Sequence, residues 1–258
     1  MSFELVTIGL CAGLFFGMLL LSEVGRRIGA ARLKRDPAAG KEGSAAEAAV
    51  FALLGLLIAF TFSGAASRFH DRRLMIAEES NAIGTAYLRV DLLAPDAQSR
   101  VRELFRKYAD LRAIVYRAAA DEIETRARLA AGESLQREIW QASLSATLSP
   151  TAAPQAGMLM LPALNAMIDI TTTRAVATQT HPPNVIYLLL GSLCLVGALL
   201  VGHGAASGAR RHWFYPVLFS AMLSTTVFVI VDIEYPRLGL IRVDAADQVL
   251  LDLRKSMQ

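Results

Sequence analysis

The sequence is poor in charge and in cysteine, and each scarcity excludes a class of protein. Only 19% of the 258 residues are charged, while 54% are hydrophobic, which is apolar for a soluble protein of this length. The two cysteines, Cys11 and Cys194, both lie inside apolar runs. That position is typical of small packing residues, and it favours neither a disulfide framework nor a zinc site.

The patterns typical of enzymes and of β-proteins are missing as well. His70 and Asp71 are adjacent, but no serine or cysteine nucleophile pattern and no HExxH metal motif accompanies them. No segment alternates like a strand, and no internal repeat stands out. We therefore expect an all-α protein with no enzymatic activity, no catalytic residues, no metal or cofactor, and no nucleic-acid partner.

Four apolar windows reach the roughly 20 residues that a helix needs to cross a bilayer. They are residues 5–21, 45–66, 185–201 and 213–231. The first window is not typical of a cleaved signal peptide, because its basic cluster follows the apolar run and no A-x-A-type cleavage site ends it. Glu47 in the second window requires polar neighbours or an interfacial position. The sequence predicts a multi-pass protein of the lipid bilayer.

Basic residues favour one orientation in the membrane. The loops after the first and third spans carry eight of them: Arg26, Arg27, Arg32, Lys34, Arg35, Lys41, Arg210 and Arg211. The positive-inside rule puts these loops in the cytoplasm of a bacterial inner (plasma) membrane. Both termini and the long middle segment then lie in the periplasm. Seven basic residues on the opposing side reduce the margin: Arg68, Arg72, Arg73, Arg174, Arg237, Arg242 and Lys255.

The middle segment reads as a helical domain outside the membrane. Val101, Leu104, Tyr108 and Leu111 recur at helical spacing, and further helices fit residues 133–144 and 161–177. Breaks are predicted at Pro95, at Gly132, and at the prolines of residues 150–154 and 182–183. The predicted segments are 1–66 with spans one and two, 67–182 as the helical domain, 183–233 with spans three and four, and 234–258 packing on the helical domain.

Span two is predicted to continue beyond the bilayer as one long helix. From Ala45 to about Leu92 only single glycines interrupt the pattern, and each costs about 1 kcal/mol. The helix passes through "FTFSGAASRFHDRR", residues 60–73, straight from apolar residues into dense charge. This charge indicates either a collar at the mouth of a helix bundle or snorkelling arginines at the interface, with Asp71 as a local partner.

The stretch "LIAFTFSGAASRFHDRR" resembles the second span of bestrophins, the pentameric anion channels. Phe60 stands at the bestrophin Phe, and Arg68 with Phe69 stands at the Arg-Trp pair. Thr61 and Ser63 depart from the pattern, because bestrophins have Arg and Asn there. A second likeness follows span four, where Glu-Tyr-Pro-Arg-Leu-Gly (residues 234–239) resembles the bestrophin Glu-Asn-Pro-Phe-Gly stretch.

Almost the whole chain is similar to a bacterial family described as bestrophin-like. The segments that carry this resemblance are "FALLGLLIAFTFSGAASRFHDRR", "EESNAIGTAYLR", "HPP" and "EYPRLGLIR". The resemblance implies four transmembrane helices, a helical extramembrane domain and a homo-oligomer, with a pentamer favoured. Bestrophins keep their helical domain in the cytoplasm, so the resemblance and the basic-residue count disagree on orientation.

The resemblance also implies the residues of a pore. Bestrophin pores narrow at apolar positions eight, twelve and sixteen residues before the Arg of the Arg-aromatic pair, which here are Phe60, Leu56 and Ala52. These three lie on one helix face, where a ring of them gates by dewetting. The alternative is ordinary packing against lipid or neighbouring helices.

Polar residues follow the apolar trio on the path out of the membrane. The hypothesis places five of them at the pore mouth: Thr61, Ser63, Ser67, Arg68 and Arg72. The hydroxyl groups can equally bond to carbonyls of their own helix four residues back.

At the end of span four, Asp232, Glu234 and Arg237 form either an ion-pair network or a cation site. Two functions therefore remain open. One is an oligomeric, anion-permeable channel for small inorganic ions with span two lining the pore. The other is a non-conducting membrane scaffold or sensor whose helical domain binds a partner.

Overall fold

The computed structural model of the chain describes residues 3–35, 44–115, 122–207 and 213–257. All regular secondary structure in these ranges is helical, which confirms the predicted all-α class. The α-helices in chain order are α1 (Phe3–Arg35), α2 (Ser44–Leu88), α3 (Pro95–Ile114), α4 (Glu122–Thr147), α5 (Ala156–Gln179), α6 (Asn184–Gly204), α7 (Phe214–Glu234) and α8 (Asp244–Ser256). Short 3₁₀ turns, Arg89–Leu92 and Ala205–Ser207, follow α2 and α6.

Four stretches of helix are long and apolar enough to cross a membrane. Helices α1, α2, α6 and α7 contain the four predicted windows to within one residue, so the multi-pass membrane assignment is confirmed. Glu47 near the start of α2 lies 3.5 Å from Nδ1 of His203 near the end of α6. This histidine supplies the polar neighbour that a carboxylate in an apolar window requires.

The prolines predicted as breaks lie at or between helix ends, and the predicted break at Gly132 is wrong. Pro95 is the first residue of α3 and Pro183 is the N-cap of α6, positions where a missing N–H costs little. Helix α4, however, runs through Gly132, which is buried and where an added Cβ would lie 3.8 Å from Cδ2 of Leu111, an ordinary contact distance. Packing on α3 overrides the weak helix propensity of a single glycine.

The chain divides into two compact units. The first comprises residues 1–67 and 181–235, and it holds α1, the first half of α2, α6 and α7. Its buried apolar cluster is small: Met18, Leu54, Ala65, Leu190, Cys194, Ala198 and Ile230. Few large side chains therefore lie inside this unit, and the contact between α1 and α6 depends on glycine.

Helices α1 and α6 approach so closely that no side chain fits between them at two points. A Cβ on Gly25 would overlap the carbonyl oxygen of Leu199, and a Cβ on Gly202 would overlap that of Ser22. Small residues at such contacts are typical of membrane-spanning helices, where close backbone approach replaces the hydrophobic effect as the source of packing energy.

The second unit comprises residues 68–180 and 236–258, with the rest of α2, α3, α4, α5 and α8. Its core is larger and contains fully buried aromatic side chains, Phe105 and Tyr108 among them. Helix α8 packs into this core: a Cβ on Gly84 of α2 would lie 3.2 Å from Cδ1 of Leu253, and Ser80 Oγ donates to the carbonyl of Val249 at 3.4 Å.

Three of the eight basic residues behind the predicted orientation, Lys41, Arg210 and Arg211, lie outside the described residues. The orientation of the chain in the membrane therefore stays a prediction.

Candidate functional site

Helix α2 carries every residue of the predicted pore. It is 45 residues long, or roughly 68 Å at 1.5 Å per residue. That is about twice the roughly 30 Å thickness of a bilayer core, so the helix is too long to lie entirely within hydrocarbon. The prediction of one uninterrupted helix through residues 60–73 is confirmed.

One side of the first half of α2 packs inside its unit. Leu54 is 3% exposed and Ala65 is fully buried. A Cβ on Gly197 of α6 would lie 3.5 Å from Cδ2 of Leu54. The ring of Phe51 meets that of Phe219 of α7 edge to face, with centroids 6.1 Å apart. These contacts fix which face of α2 points toward α6 and α7.

The three apolar pore candidates lie on the opposite face. Ala52 is exposed, Leu56 is 52% exposed and Phe60 is 68% exposed. At about 100° per residue they point roughly 160–240° away from Leu54. In the single chain the predicted gate residues therefore form an exposed apolar row at i, i+4 and i+8.

The predicted hydroxyl residues separate onto two sides of α2. Ser63 and Ser67 are exposed and continue the row of Leu56 and Phe60. Thr61 is partly buried on the packed side, and its Oγ1 donates to the carbonyls of Leu57 at 2.8 Å and Ile58 at 3.0 Å. Thr61 therefore follows the alternative in which a hydroxyl group bonds to carbonyls of its own helix.

The two predicted mouth arginines differ in their surroundings. Arg68 is partly exposed, whereas Arg72 is buried. The Arg72 guanidinium donates to the carbonyls of Ala177 at 3.1 Å and Thr180 at 2.9 Å, where α5 ends. A cation there satisfies terminal carbonyls and complements the negative end of the helix dipole. Arg72 thus holds α2 against α5, a contact that the arginine cluster alone did not indicate.

The end of α7 places buried carboxylates beside a histidine. Asp232 and Glu234 are buried, and Glu234 Oε1 lies 3.1 Å from Nδ1 of His181. The His181 ring stacks on Tyr235 with centroids 4.4 Å apart. Sequence reasoning missed this histidine, whose signal was the "HPP" segment. Within the described ranges no group of three or more His, Cys, Asp or Glu side chains could hold a metal ion.

Arg237, the third member of the predicted cluster, belongs to the second unit. Its guanidinium makes a two-pronged ion pair with Asp247, including a 2.9 Å bond from Nη2 to Oδ1. Asp247 is buried, so the pair holds the segment after α7 to the start of α8. Two-pronged arginine–carboxylate pairs are the geometrically specific form of this contact.

A second buried ion-pair cluster was not predicted at all. Glu79 of α2 is fully buried and contacts both Arg112 of α3 and Arg174 of α5. All three side chains are at most 5% exposed. A carboxylate between two guanidiniums offsets the large cost of removing each charge from water. The only sequence signal was an acidic residue among small helix residues at the start of "EESNAIGTAYLR".

Comparison with known structures shows that this arrangement is a bestrophin fold. A crystal structure of a variant bacterial Bestrophin homolog from Klebsiella pneumoniae matches with a TM-score of 0.64 at 16% identity, covering 94% of this chain and 97% of that one. Another structure of a bacterial Bestrophin homolog from Klebsiella pneumoniae, phased by zinc, gives 0.62 at 16%, covering 92% and 97%. A structure described as a membrane protein gives 0.65 at 15%, covering 94% and 99%.

No curated protein matches the chain at a significant level. At these identities the structural likeness establishes the fold alone. A family model described as Bestrophin-like domain matches residues 46–247, which is most of the chain and includes nearly all of α2, the "HPP" segment and the end of α7. The resemblance found in the sequence is therefore confirmed, and the chain belongs to the Bestrophin-like family.

Proposed function

We propose that the chain assembles into a homo-oligomeric ion channel in which α2 lines the pore. Family membership and the bestrophin fold support a channel-type role. The observation that carries the proposal is the free apolar row Ala52–Leu56–Phe60, which lies opposite the packed face of α2. A helix with its inner contacts satisfied and an outward row of this kind suits a position around a central axis.

In such a ring the Phe60 side chains form the constriction, with Leu56 and Ala52 forming the adjacent turns. Each Phe60 is 68% exposed in the protomer, so its ring is available to face the axis. Apolar walls at a narrow point disfavour water and close a pore without a moving plug. The pathway then passes Ser63 and Ser67, whose exposed hydroxyls replace part of an ion's hydration.

We propose that the pore favours anions. Arg68 and Arg73 lie on the turns of α2 that follow Ser67, and fixed positive charge near an opening attracts anions. Arg72 contributes by position: its contact with the end of α5 holds this part of α2 in place. Thr61, bonded to its own helix, stabilises α2 beside the mouth and does not face the ions.

We further propose a pentamer, by resemblance to bestrophins, in the bacterial inner membrane. The positive-inside rule favours residues 67–182, the segment 234–258 and both termini on the periplasmic side. For Asp232, Glu234 and Arg237 we propose the ion-pair role over a cation site. The pairing of Glu234 with His181 and of Arg237 with Asp247 supports that choice.

The test is Phe60→Ala, with Phe62→Ala as the matched control. Phe62 is 44% exposed and lies on the same helix, roughly 160° around from Phe60. Because both rings are exposed, truncation leaves little cavity in the protomer. We expect Phe60→Ala to raise chloride flux severalfold in liposomes, while Phe62→Ala leaves flux unchanged and both variants keep the oligomer seen by native mass spectrometry.

Two results would contradict the channel. Unchanged flux together with lost oligomer in Phe60→Ala would place the ring between packed helices. Intact oligomers without ion flux from either variant would favour the scaffold or sensor function.

A further inference from the structure

The second unit contains a concave site, the α4–α5 pocket, whose lining includes none of the candidate pore residues. Its volume is about 260 Å³, slightly below the roughly 300–1,000 Å³ of most small-molecule pockets. It is lined by Glu133, Gln136, Arg137, Trp140, Gln141 and Ile168. Five of these residues come from one face of α4, and Ile168 comes from α5. The pocket therefore combines an aromatic ring, an aliphatic side chain, both signs of charge and amides.

The floor of the pocket is fixed by buried contacts. Gln136 is 8% exposed, and its Nε2 donates to the Tyr108 hydroxyl at 2.9 Å and to Thr171 Oγ1 at 3.2 Å. One amide thus ties α4 to α3 and to α5. Trp140 and Ile168 pack partly against the apolar core of the unit. Because the site is preformed, binding of a small ligand would lose little free energy to ordering its side chains.

The charged groups at the rim are available to a ligand. Glu133 and Arg137 stand at i and i+4, the order that pairs well on a helix. The corresponding pairs Glu103–Lys107 and Glu124–Arg128 do close. Within the described residues Glu133 and Arg137 make no ion pair or hydrogen bond with each other or with a third residue, although both line the same pocket.

We propose that the α4–α5 pocket binds a small zwitterion of the free α-amino acid class. The planar Arg137 guanidinium suits a carboxylate. The Glu133 carboxylate and the face of the Trp140 ring suit an ammonium group. Ile168 provides apolar surface for the ligand's side chain. A ligand with both charges pairs with both rim groups at once, whereas an ion of one sign pairs with only one of them. The inference does not rest on the proposed channel function.

Intrinsic fluorescence tests the proposal directly, because the chain has only two tryptophans, Trp140 and Trp213. In the full-length Trp213→Phe variant, Trp140 is the sole tryptophan reporter. Leucine is the zwitterionic probe, with 4-methylpentanoate and 3-methylbutylamine as matched probes of one charge each. We expect saturable change with leucine and at least tenfold weaker binding of the other two.

Substitutions then separate pocket binding from nonspecific effects. Arg137→Gln and Glu133→Gln should each weaken leucine binding at least tenfold. Glu138→Gln, an exposed carboxylate on the same helix outside the pocket lining, should leave it unchanged. Calorimetry on the unmodified chain should give the same dissociation constant, which guards against a folding defect of the reporter variant.

Several outcomes would overturn the zwitterion site. One is the absence of saturable binding of leucine by either method at millimolar concentration. Another is equal binding of a singly charged probe, and a third is equal weakening by Glu138→Gln. A fluorescence change that tracks protein concentration and oligomer dissociation would instead assign the pocket to an interface between copies of the chain.

Discussion

Helices α1 and α6 of the first unit touch through Gly25 and Gly202, with backbone against backbone. Helices of the second unit meet through large apolar side chains such as Phe105 and Tyr108. In lipid, an apolar side chain gains little free energy by exchanging contact with lipid tails for contact with another helix. Helices there associate by close van der Waals approach. In water, burial of large apolar surface supplies the energy. The two units therefore show the packing expected of a membrane part and an aqueous part of one chain.

The two units also differ in where they hold buried charged side chains. The second unit holds Glu79 between Arg112 and Arg174, and Asp247 against Arg237. The first unit holds its carboxylates near the ends of spans: Asp232 and Glu234 are buried at the end of α7, with Glu234 beside His181, and Glu47 lies beside His203. Charges are tolerated where partners satisfy them, and the second unit provides these partners from several helices. Burial of that kind specifies one packing of the helices at some cost in stability.

The largest contrast concerns the side of the membrane on which the second unit lies. Single cysteines replacing Ala38 and Ala131 should respond oppositely to an impermeant thiol reagent in intact cells. We expect labelling at position 131, and labelling at 38 only after permeabilisation, because basic loops favour the cytoplasm. The parent chain, whose Cys11 and Cys194 lie inside spans, gives the background. The reverse pattern would place the helical domain in the cytoplasm.

Glu79→Gln should cause the largest loss of stability in the second unit. The substitution keeps the side-chain volume but removes the anion that two buried guanidiniums contact, and breaking a buried pair costs about 3–5 kcal/mol. Thermal unfolding of the purified protein should shift strongly downward. Glu103→Gln, which breaks only the exposed pair with Lys107, is the control and should melt like the parent. Equal melting of all three proteins would show that Glu79 is dispensable.

Gly202→Ala should break the contact between α1 and α6. The added methyl overlaps the carbonyl oxygen of Ser22, so the two helices must separate, at an overpacking cost of about 1–3 kcal/mol or more. The measurement is the yield of monodisperse protein and its melting temperature. Gly191→Ala on the same helix is the control, because nothing lies within 4 Å of its added Cβ. Similar yields from the two variants would contradict the close approach.

Local sequence signals predicted most of the helices and the shared helix face of three apolar residues of α2. Apolar length gave the four spans, the lack of strong helix breakers gave the continuous α2, and i, i+4, i+8 spacing placed Ala52, Leu56 and Phe60 on one side. The pore role of that side still depends on the family resemblance. Hydropathy alone does not distinguish an apolar residue that faces a pore from one that faces lipid.

Tertiary pairings were the part that the sequence did not predict. Glu79 is 33 residues from Arg112 and 95 from Arg174 along the chain, and no local pattern specifies which arginine meets which carboxylate. The same holds for Arg72. In the sequence it is one arginine of a charged cluster, and only the fold brings it to its carbonyl partners at the end of α5. Partners at such separations are set by the fold as a whole.

The smallest expected effect is a gain in stability, and it concerns Gly132, where the sequence predicted a helix break. Helix α4 is continuous there, and an added Cβ would meet only Leu111 Cδ2 at ordinary contact distance, 3.8 Å. Alanine restricts the unfolded chain and suits a helix better, so Gly132→Ala should stabilise the second unit by about 0.5–1 kcal/mol. The control is Gly84→Ala, whose Cβ would lie 3.2 Å from Leu253 and should gain less or lose stability. A lower melting temperature for Gly132→Ala than for the parent would mean that the glycine is needed for close packing of α4 on α3.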